Sequence, residues 1–378
     1  MGRITRNLKE LIDRGRKGEN HALSMGLPKL ERFVDGVAQE TYYLIAGGTG
    51  SGKTSFALHS FIYKPIMENI DNPDFHIIYF SLEMTAEQLL GKILSIYIYE
   101  TFGVELSFKE LLSRSKDTTL SDMDYELVCQ SLEMLDKIES HMIIYDKPLN
   151  NQRMVDFLME SLKQFGKFQG DTYTLFRPNH IILVILDHIG LARPSIGNSK
   201  KDEMDAMSSS LVSFRNKCKI SPVVVMQVNR GSSNVERRKL NFQELQLDDL
   251  KGTGNPAEDA NIVLALFYPF REKMSSYRGY DIKQIGENFR SAVVLKNRWG
   301  AADIAVGLGF YGKTGLFKEL PIATKITNYD KYLTPDWLIT ESLEDSCQEI
   351  TQEEQQDSSS KNDFSSIVNG SRNYCDCW

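Results

Sequence analysis

The chain has 378 residues, of which 41% are hydrophobic and 25% charged, with a formal net charge of −7. That is enough apolar material for a sizeable core, in one large domain or two ordinary ones, and no uncharged apolar run is long enough to read as a transmembrane helix. Five cysteines (Cys129, Cys218, Cys347, Cys375 and Cys377) without a paired C-x-x-C spacing argue against a disulfide framework and against a zinc site, and for free thiols in a reducing cytoplasm. The charge is uneven. From Glu341 to the end there are nine acidic and two basic residues, so this stretch carries the whole net charge and residues 1–340 are neutral. A neutral body does not advertise nucleic-acid binding, but it leaves room for a local basic channel. The start, Met1-Gly2-Arg3-Ile4-Thr5-Arg6, has no secretory apolar region and no myristoylation Ser or Thr.

Residues 7–16 predict a short amphipathic helix with Leu8, Leu11 and Ile12 on one face. Alone in water such a helix is marginal, so it packs on its own body or on a neighbouring subunit. Residues 24–36 read as a turn, a short helix and a glycine stop. Tyr42-Tyr43-Leu44-Ile45-Ala46 reads as a buried strand. The next eight residues, Gly47-Gly48-Thr49-Gly50-Ser51-Gly52-Lys53-Thr54, fit G-x-x-x-x-G-K-[ST], the phosphate-binding P-loop, and Ser55-Phe56-Ala57-Leu58 can open a helix behind it. Glycines let the backbone aim several N–H groups at one anion, and the helix N-terminus adds partial positive charge. Lys53 then reaches the β- and γ-phosphates, and the Thr54 hydroxyl binds Mg²⁺. ATP with Mg²⁺ is the expected ligand, held by Gly47, Gly48, Thr49, Gly50, Ser51, Gly52, Lys53, Thr54 and Ser55.

Past the turn Asn72-Pro73-Asp74, residues 75–80 predict a second apolar strand, followed by Ser81-Leu82-Glu83-Met84 and a helix from Thr85 through Tyr99. Residues 107–137 read as mostly helical, with a break at 117–120. A strand follows at 142–146, a helix at 152–165 and a polar loop at 166–179. Residues 180–186, His-Ile-Ile-Leu-Val-Ile-Leu, are the most β-branched run and end in Asp187. Further on, a helix is expected at 200–217 and a strand at 222–226, closed by Gln227-Val228-Asn229-Arg230. Residues 231–246 are polar and charged. Residues 257–259 start a short helix, 262–268 form another buried strand, and 271–288 make an excursion. A strand at 291–295 leads into Lys296-Asn297-Arg298-Trp299-Gly300, with 304–311 as its hairpin partner. Beyond Pro335 the composition turns to Glu, Gln, Ser and Asp and predicts a disordered tail. Unbroken apolar strands alternating with helices predict an α/β fold with a mostly parallel central sheet flanked by helices.

Several strand ends carry chemistry. Asp187 after its apolar strand has the Walker B arrangement and would hold Mg²⁺ together with Thr54. Glu83, just past a strand end on the edge where the P-loop opens, can orient and deprotonate an attacking water; its bland alternative is a carboxylate serving the next helix dipole. Gln227 ends a strand on the same edge and can touch a γ-phosphate, or simply be solvated. The histidine after Asp187, His188, is a loop residue or a satisfied core histidine. The loops after Asp187 and Gln227 contain Arg193, Lys200 and Lys201, and Arg230, Arg237, Arg238 and Lys239, among Ser and Asn. That mixture suits sequence-blind contacts to the phosphates of single-stranded DNA, without aromatic stacking; a solvated charged loop is the alternative.

Ser81-Leu82-Glu83-Met84 with Glu87-Gln88-Leu89, Asp187, Gln227-Val228-Asn229-Arg230, Asp249-Leu250-Lys251-Gly252-Thr253-Gly254 with Glu258-Asp259-Ala260, and Lys296-Asn297-Arg298 with Gly300 occur in this order. Together they resemble the successive motifs of the ATPase domain of DnaB-type replicative helicases, over about residues 24–320. The resemblance implies a RecA-like P-loop ATPase core at 24–335, a linker helix at 1–23 that clasps the adjacent subunit, and a disordered acidic tail at 336–378. It also implies an ATP-driven homo-oligomer, a hexamer, that translocates 5′ to 3′ on single-stranded DNA and separates duplex during replication. Glu83 would then be the catalytic base and Gln227 the sensor of phosphate and DNA. Lys296 and Arg298 would be the Lys-x-Arg finger that completes the next subunit's ATP site. Primase, a loader or other replication proteins are the partners it implies. Two departures from the family are read here: an N-terminal helical domain is not expected, as in shortened phage versions, and the Walker B Asp-Tyr is Asp187-His188. A RecA-like recombinase that forms filaments shares the P-loop, the Glu and the Asp, but tends to carry two lysines on the late strand. An ATP-gated DNA-binding module without turnover is disfavoured by the joint presence of Lys53, Glu83 and Asp187.

Overall fold

Unbroken apolar strands need cover on both faces, and the sheet they build here has it. The computed structural model describes residues 2–18, 21–228, 243–250, 255–334 and 336–337. Arg230, Arg237, Arg238 and Lys239, the stretch 251–254 and the acidic end of the chain lie outside the described residues. Met1–Leu333 is one compact unit and Thr334–Trp378 a second, of which only three residues are described.

The strands of the large sheet are β1 (Tyr43–Gly47), β2 (Phe75–Ser81), β3 (Met142–Tyr145), β6 (Ile181–Asp187), β7 (Ser221–Gln227), β8 (Ile262–Phe267), β11 (Phe289–Asn297), β12 (Ile304–Tyr311) and β13 (Leu316–Glu319). Their order is β13-β12-β11-β8-β1-β7-β6-β2-β3. From β8 to β3 all neighbours run parallel; β11, β12 and β13 are antiparallel additions. The P-loop strand β1 therefore sits in the middle, between β8 and β7. Leu44, Ala46, Ile78, Phe80, Val184, Leu186, Val224 and Met226 face helices α8 (Asn151–Leu162) and α9 (Lys200–Cys218) in one continuous core. The alternate residues, Tyr43 among them, face the helix behind the P-loop, where Tyr43 meets Phe61 edge-on at 5.2 Å.

That helix runs in three pieces: α3 (Lys53–Ala57), a π-helical turn at Leu58–Tyr63, and α4 (Lys64–Glu68). Pro65 in α4 has no N–H to continue the ladder, and the widened turn lies just before it. Elsewhere the helices start where side chains cap them. Thr85 and Gln88 form a capping box for α5 (Ala86–Phe102), which stops at left-handed Gly103. Ser121 caps α7 (Asp122–Ser140), Asn150 caps α8, and Ser199 with Asp202 caps α9. The first helices are α1 (Arg3–Arg16) and α2 (Pro28–Val34), and α6 (Phe108–Leu111) is a single turn.

Two small hairpins and the strand β13 depart from the sequence reading. Residues 166–179 are not simply a loop: β4 (Gly166–Gln169) and β5 (Thr172–Leu175) pair as a hairpin. The excursion after β8 contains a second small hairpin, β9 (Ser276–Tyr277) with β10 (Tyr280–Asp281). The hairpin of β11 and β12 forms as expected, and β13 extends it.

Candidate active site

Parallel strands bring their carboxyl ends to one edge. In register, Gly47 lies beside Gln227, and Ser81 beside Asp187. The P-loop, Glu83, Asp187 and Gln227 thus share an edge because four separate strands end there. Gly50 and Gly52 take φ of +74° and +93°, a left-handed backbone that glycine adopts without strain. The loop that results is tied by its own lysine: Lys53 is buried and its Nζ donates to the Gly48 carbonyl at 2.8 Å. The Ser51 hydroxyl is buried and has no hydrogen-bond partner among the described residues. A buried orphan hydroxyl in a glycine-rich loop of this kind fits an anionic oxygen.

Asp187 is 1% exposed. Its carboxylate accepts from Thr54 Oγ1 at 3.3 Å and from the Tyr79 hydroxyl at 2.9 Å. Burial pushes its pKa up to about 6, against the pull of those two donors, and the nearby Glu83 charge adds to the rise. A buried carboxylate so placed gains most from a cation. No cluster of three or more His, Cys, Asp or Glu side chains able to hold a metal occurs among the described residues. A divalent ion at Thr54 and Asp187 would therefore take its remaining ligands from phosphate and water, as Mg²⁺ does. Tyr79 was not picked out from the sequence, because a tyrosine inside an apolar strand reads as core. Burial and the adjacent Asp187 raise its pKa, so its hydroxyl stays a donor.

Glu83 is exposed and precedes the Thr85 cap, so it stands outside α5; the acidic residue in that helix's first turn is Glu87. The turn carrying Glu83 is fixed from both sides: the Leu82 N–H donates to the Asp187 carbonyl at 2.8 Å and the Ser81 hydroxyl to the Met84 carbonyl at 2.6 Å. Gln227 is half-buried, and the next N–H, of Val228, donates to the Gly47 carbonyl at 3.0 Å. His188 is not a satisfied core histidine: it is half-buried, its Nδ1 lacks a partner among the described residues, and burial lowers its pKa.

The loop after Asp187 leaves this edge with Arg193, Lys200 and Lys201 exposed. Its shape depends on a residue the sequence did not single out. Glu203 is fully buried and accepts from the backbone N–H groups of Asn151 at 2.5 Å and Ser195 at 2.8 Å. Burial works to raise its pKa, but these donors outweigh it and hold the carboxyl below its usual range. Lys296 and Arg298 stand elsewhere. β11 runs antiparallel to β8, and Asn297 pairs with Ile262 at the start of β8. The pair is therefore at the amino edge of the sheet, about 15–20 Å by strand rise from the P-loop edge. There Lys296 Nζ donates to the Ala257 and Glu258 carbonyls at 3.0 and 2.7 Å, and Arg298 to the Glu258 carbonyl at 3.3 Å. The hydrogen bonds of the two cations among the described residues thus go to carbonyls.

The family described as DnaB-like helicase C terminal domain matches residues 22–319. The probable replicative DNA helicase of Trieres chinensis is 26% identical over 262 residues, 69% of this chain and 50% of that protein. The replicative DNA helicase DnaB of Helicobacter pylori (strain ATCC 700392 / 26695) is 24% identical over 286 residues, 73% of this chain and 49% of that protein. The chain spans about half the length of the curated relatives it matches. Among solved structures, an isolated ATPase domain superposes with a TM-score of 0.65 at 17% identity, covering 85% of this chain and all of that one. A DnaB-like replicative helicase, solved in a study of its interactions with primase, gives 0.62 at 17% identity, covering 85% and 68%. At such identity these likenesses bear on the fold, which is RecA-like. The match to the family over most of the chain bears on descent, and with a P-loop, strand-end Glu and Asp gathered on one edge the chain belongs to the DnaB-like helicase C-terminal domain family.

Proposed function

We propose that the chain is the ATP-hydrolysing motor of a ring-forming, hexameric DNA helicase that moves along single-stranded DNA and separates duplex during replication. The observation that carries the reading is the division of charge between the two sheet edges. Lys53, Thr54, Asp187 and Glu83 gather at the carboxyl edge, and Lys296 with Arg298 stand at the amino edge, beyond the reach of an Arg side chain from the same nucleotide. A finger on this strand can serve only another copy's site, which a ring supplies. In this reading Gly47 to Ser55 hold the phosphates, and Thr54 and Asp187 hold Mg²⁺, which would neutralise charge building on the phosphate oxygens. Glu83 takes a proton from the attacking water, and Gln227 senses the γ-phosphate.

Helix α1 supports assembly. Its apolar side chains Ile4, Leu8 and Ile12 are 83%, 55% and 55% exposed. Such a stripe gains from cover by a second copy, so we assign residues 1–23 to clasp the neighbour, 24–335 to the motor and 336–378 to an acidic tail. Arg193, Lys200 and Lys201, with Arg230, Arg237, Arg238 and Lys239, would line the DNA path by contacts to phosphate. Primase or a loader would be partners of the assembled ring. No helix among the described residues is long and apolar enough to cross a membrane, and a cytoplasmic place of work fits.

The test measures ATP turnover with and without single-stranded DNA, and unwinding of a forked duplex with a free 5′ tail. Turnover stimulated by the strand, and unwinding that needs both ATP and Mg²⁺, are expected. Turnover that ignores DNA, or filaments on a grid where rings are expected, would overturn the helicase reading.

A further inference from the structure

Arg290 lies in β11, where an apolar side chain would be the ordinary choice, and it is 5% exposed. A buried guanidinium costs several kcal/mol unless its donors are used. Here each of its three nitrogens donates to a backbone carbonyl. Nη1 donates to the Glu287 and Phe289 carbonyls at 2.7 and 2.8 Å. The others reach across to the P-loop: Nε donates to the Ser51 carbonyl at 3.1 Å and Nη2 to the Gly50 carbonyl at 3.4 Å. The guanidinium plane rests on the Tyr268 ring, 3.4 Å from its centroid, with Phe310 at 4.9 Å. Burial lowers its pKa to about 10, so it remains a cation at neutral pH.

The rest of the loop follows the same pattern. Lys53 holds the Gly48 carbonyl, and Arg271 Nη1 donates to the Thr49 carbonyl. Four consecutive carbonyls, Gly48 to Ser51, thus each accept from a cationic side chain. Across a trans peptide the C=O of one residue and the N–H of the next point opposite ways. Turning the Thr49 and Ser51 carbonyls toward arginines turns the Gly50 and Gly52 N–H groups the opposite way, away from those side chains. Left-handed Gly50 and Gly52 allow it.

We propose that Arg290 is a positioning residue for nucleotide binding: it holds the outer carbonyls of the P-loop from behind and so fixes the N–H groups that receive the phosphates. This rests on the nucleotide-binding reading of the loop. Arg is needed for its planar fork, which spreads its donors between the Gly50 and Ser51 carbonyls on one side and the Glu287 and Phe289 carbonyls on the other while lying flat on Tyr268; a lysine keeps the charge but gathers its donors on one nitrogen and has no plane.

The experiment compares wild type, Arg290→Lys and Tyr268→Leu with MgATP and MgADP as probes. A loop that holds its phosphates less well weakens ground state and transition state alike, so KM should rise with kcat little changed. For Arg290→Lys we expect KM for MgATP and Kd for MgADP to rise at least tenfold, kcat to stay within about threefold, and amide exchange of residues 47–53 to speed up in nucleotide-free protein. An unchanged KM and unchanged loop exchange in folded Arg290→Lys would overturn the proposal. Should that variant not fold, Tyr268→Leu removes the ring beneath the guanidinium without touching the loop. The same rise in KM is expected of it, and an unchanged KM would again overturn the proposal. If wild type binds neither probe, the nucleotide reading itself falls, and loop exchange alone decides whether Arg290 is a clamp.

Discussion

Lys53 is buried and its ammonium donates to a carbonyl of its own loop, a place that a phosphate oxygen could take. Lys53→Ala should therefore lower ATP turnover by about 10²-fold or more, the effect of removing one charge-stabilising donor, with a melting temperature close to wild type. Glu83 is exposed and outside α5, so Glu83→Gln should leave folding and MgATP affinity intact and lower turnover by about 10²–10⁴-fold, the range of a lost general base. Equilibrium binding alongside turnover checks both; a Glu83→Gln protein that fails to bind nucleotide would make Glu83 structural. These two residues were legible in the sequence because fixed spacing and strand-end position mark them. Tyr79, Glu203 and Arg290 were not. Each works through a partner far along the chain: Asp187 for Tyr79, Asn151 for Glu203, the Gly50 and Ser51 carbonyls for Arg290. The one available signal was negative: an arginine within the apolar run Phe289 to Leu295 had to have its donors met somewhere.

Between elements, Glu319 ties the last strand of the sheet to α2. Its carboxylate accepts from the Lys29 and Leu30 N–H groups, both at 2.8 Å, at the start of that helix. Burial nevertheless pushes its pKa up to about 7, from an ordinary 4.5, outweighing these donors and the Lys29 charge. The folded protein therefore keeps a proton that the unfolded chain releases first. Its contribution is most favourable below about pH 4.5 and is lost as pH rises through 7, on the order of 3 kcal/mol in all. Glu319→Gln should be less stable at low pH, where it gives up one backbone partner, but flatter in melting temperature between pH 5 and 8. Parallel curves for the two proteins would show that Glu319 titrates normally. β13, which carries it, escaped the sequence reading because Leu-Phe-Lys-Glu is short and half polar. The β4–β5 hairpin escaped for a related reason. Its burial pattern is only partial, and its turn around Gly170 was submerged in a polar stretch. The long apolar strands were legible because burial on both faces leaves them no alternative composition.

At the scale of the whole molecule, the two edges of one sheet carry the two halves of the proposed site. Arg298→Ala should fold and bind nucleotide as wild type does, because the Arg298 guanidinium donates to the Glu258 carbonyl at the edge away from the P-loop, yet lower turnover by ~10³-fold or more. Mixing that protein with Glu83→Gln under conditions where subunits exchange should restore part of the turnover, since some interfaces then pair an intact Glu83 with an intact Arg298. No recovery, with exchange verified by labelled chains, would remove Arg298 from the neighbour's site.

A sheet divided in this way makes the interface, rather than the polypeptide, the unit that is counted. In the proposed ring, an isolated chain would own every residue of the chemistry and no complete copy of it. On that proposal a linear stack would have one working centre fewer than it has members, because the end member's loop would meet no finger, and only closure would bring the two numbers level. The rate per chain would then climb with concentration and level off when circles close, so that assembly itself serves as the starter of the engine.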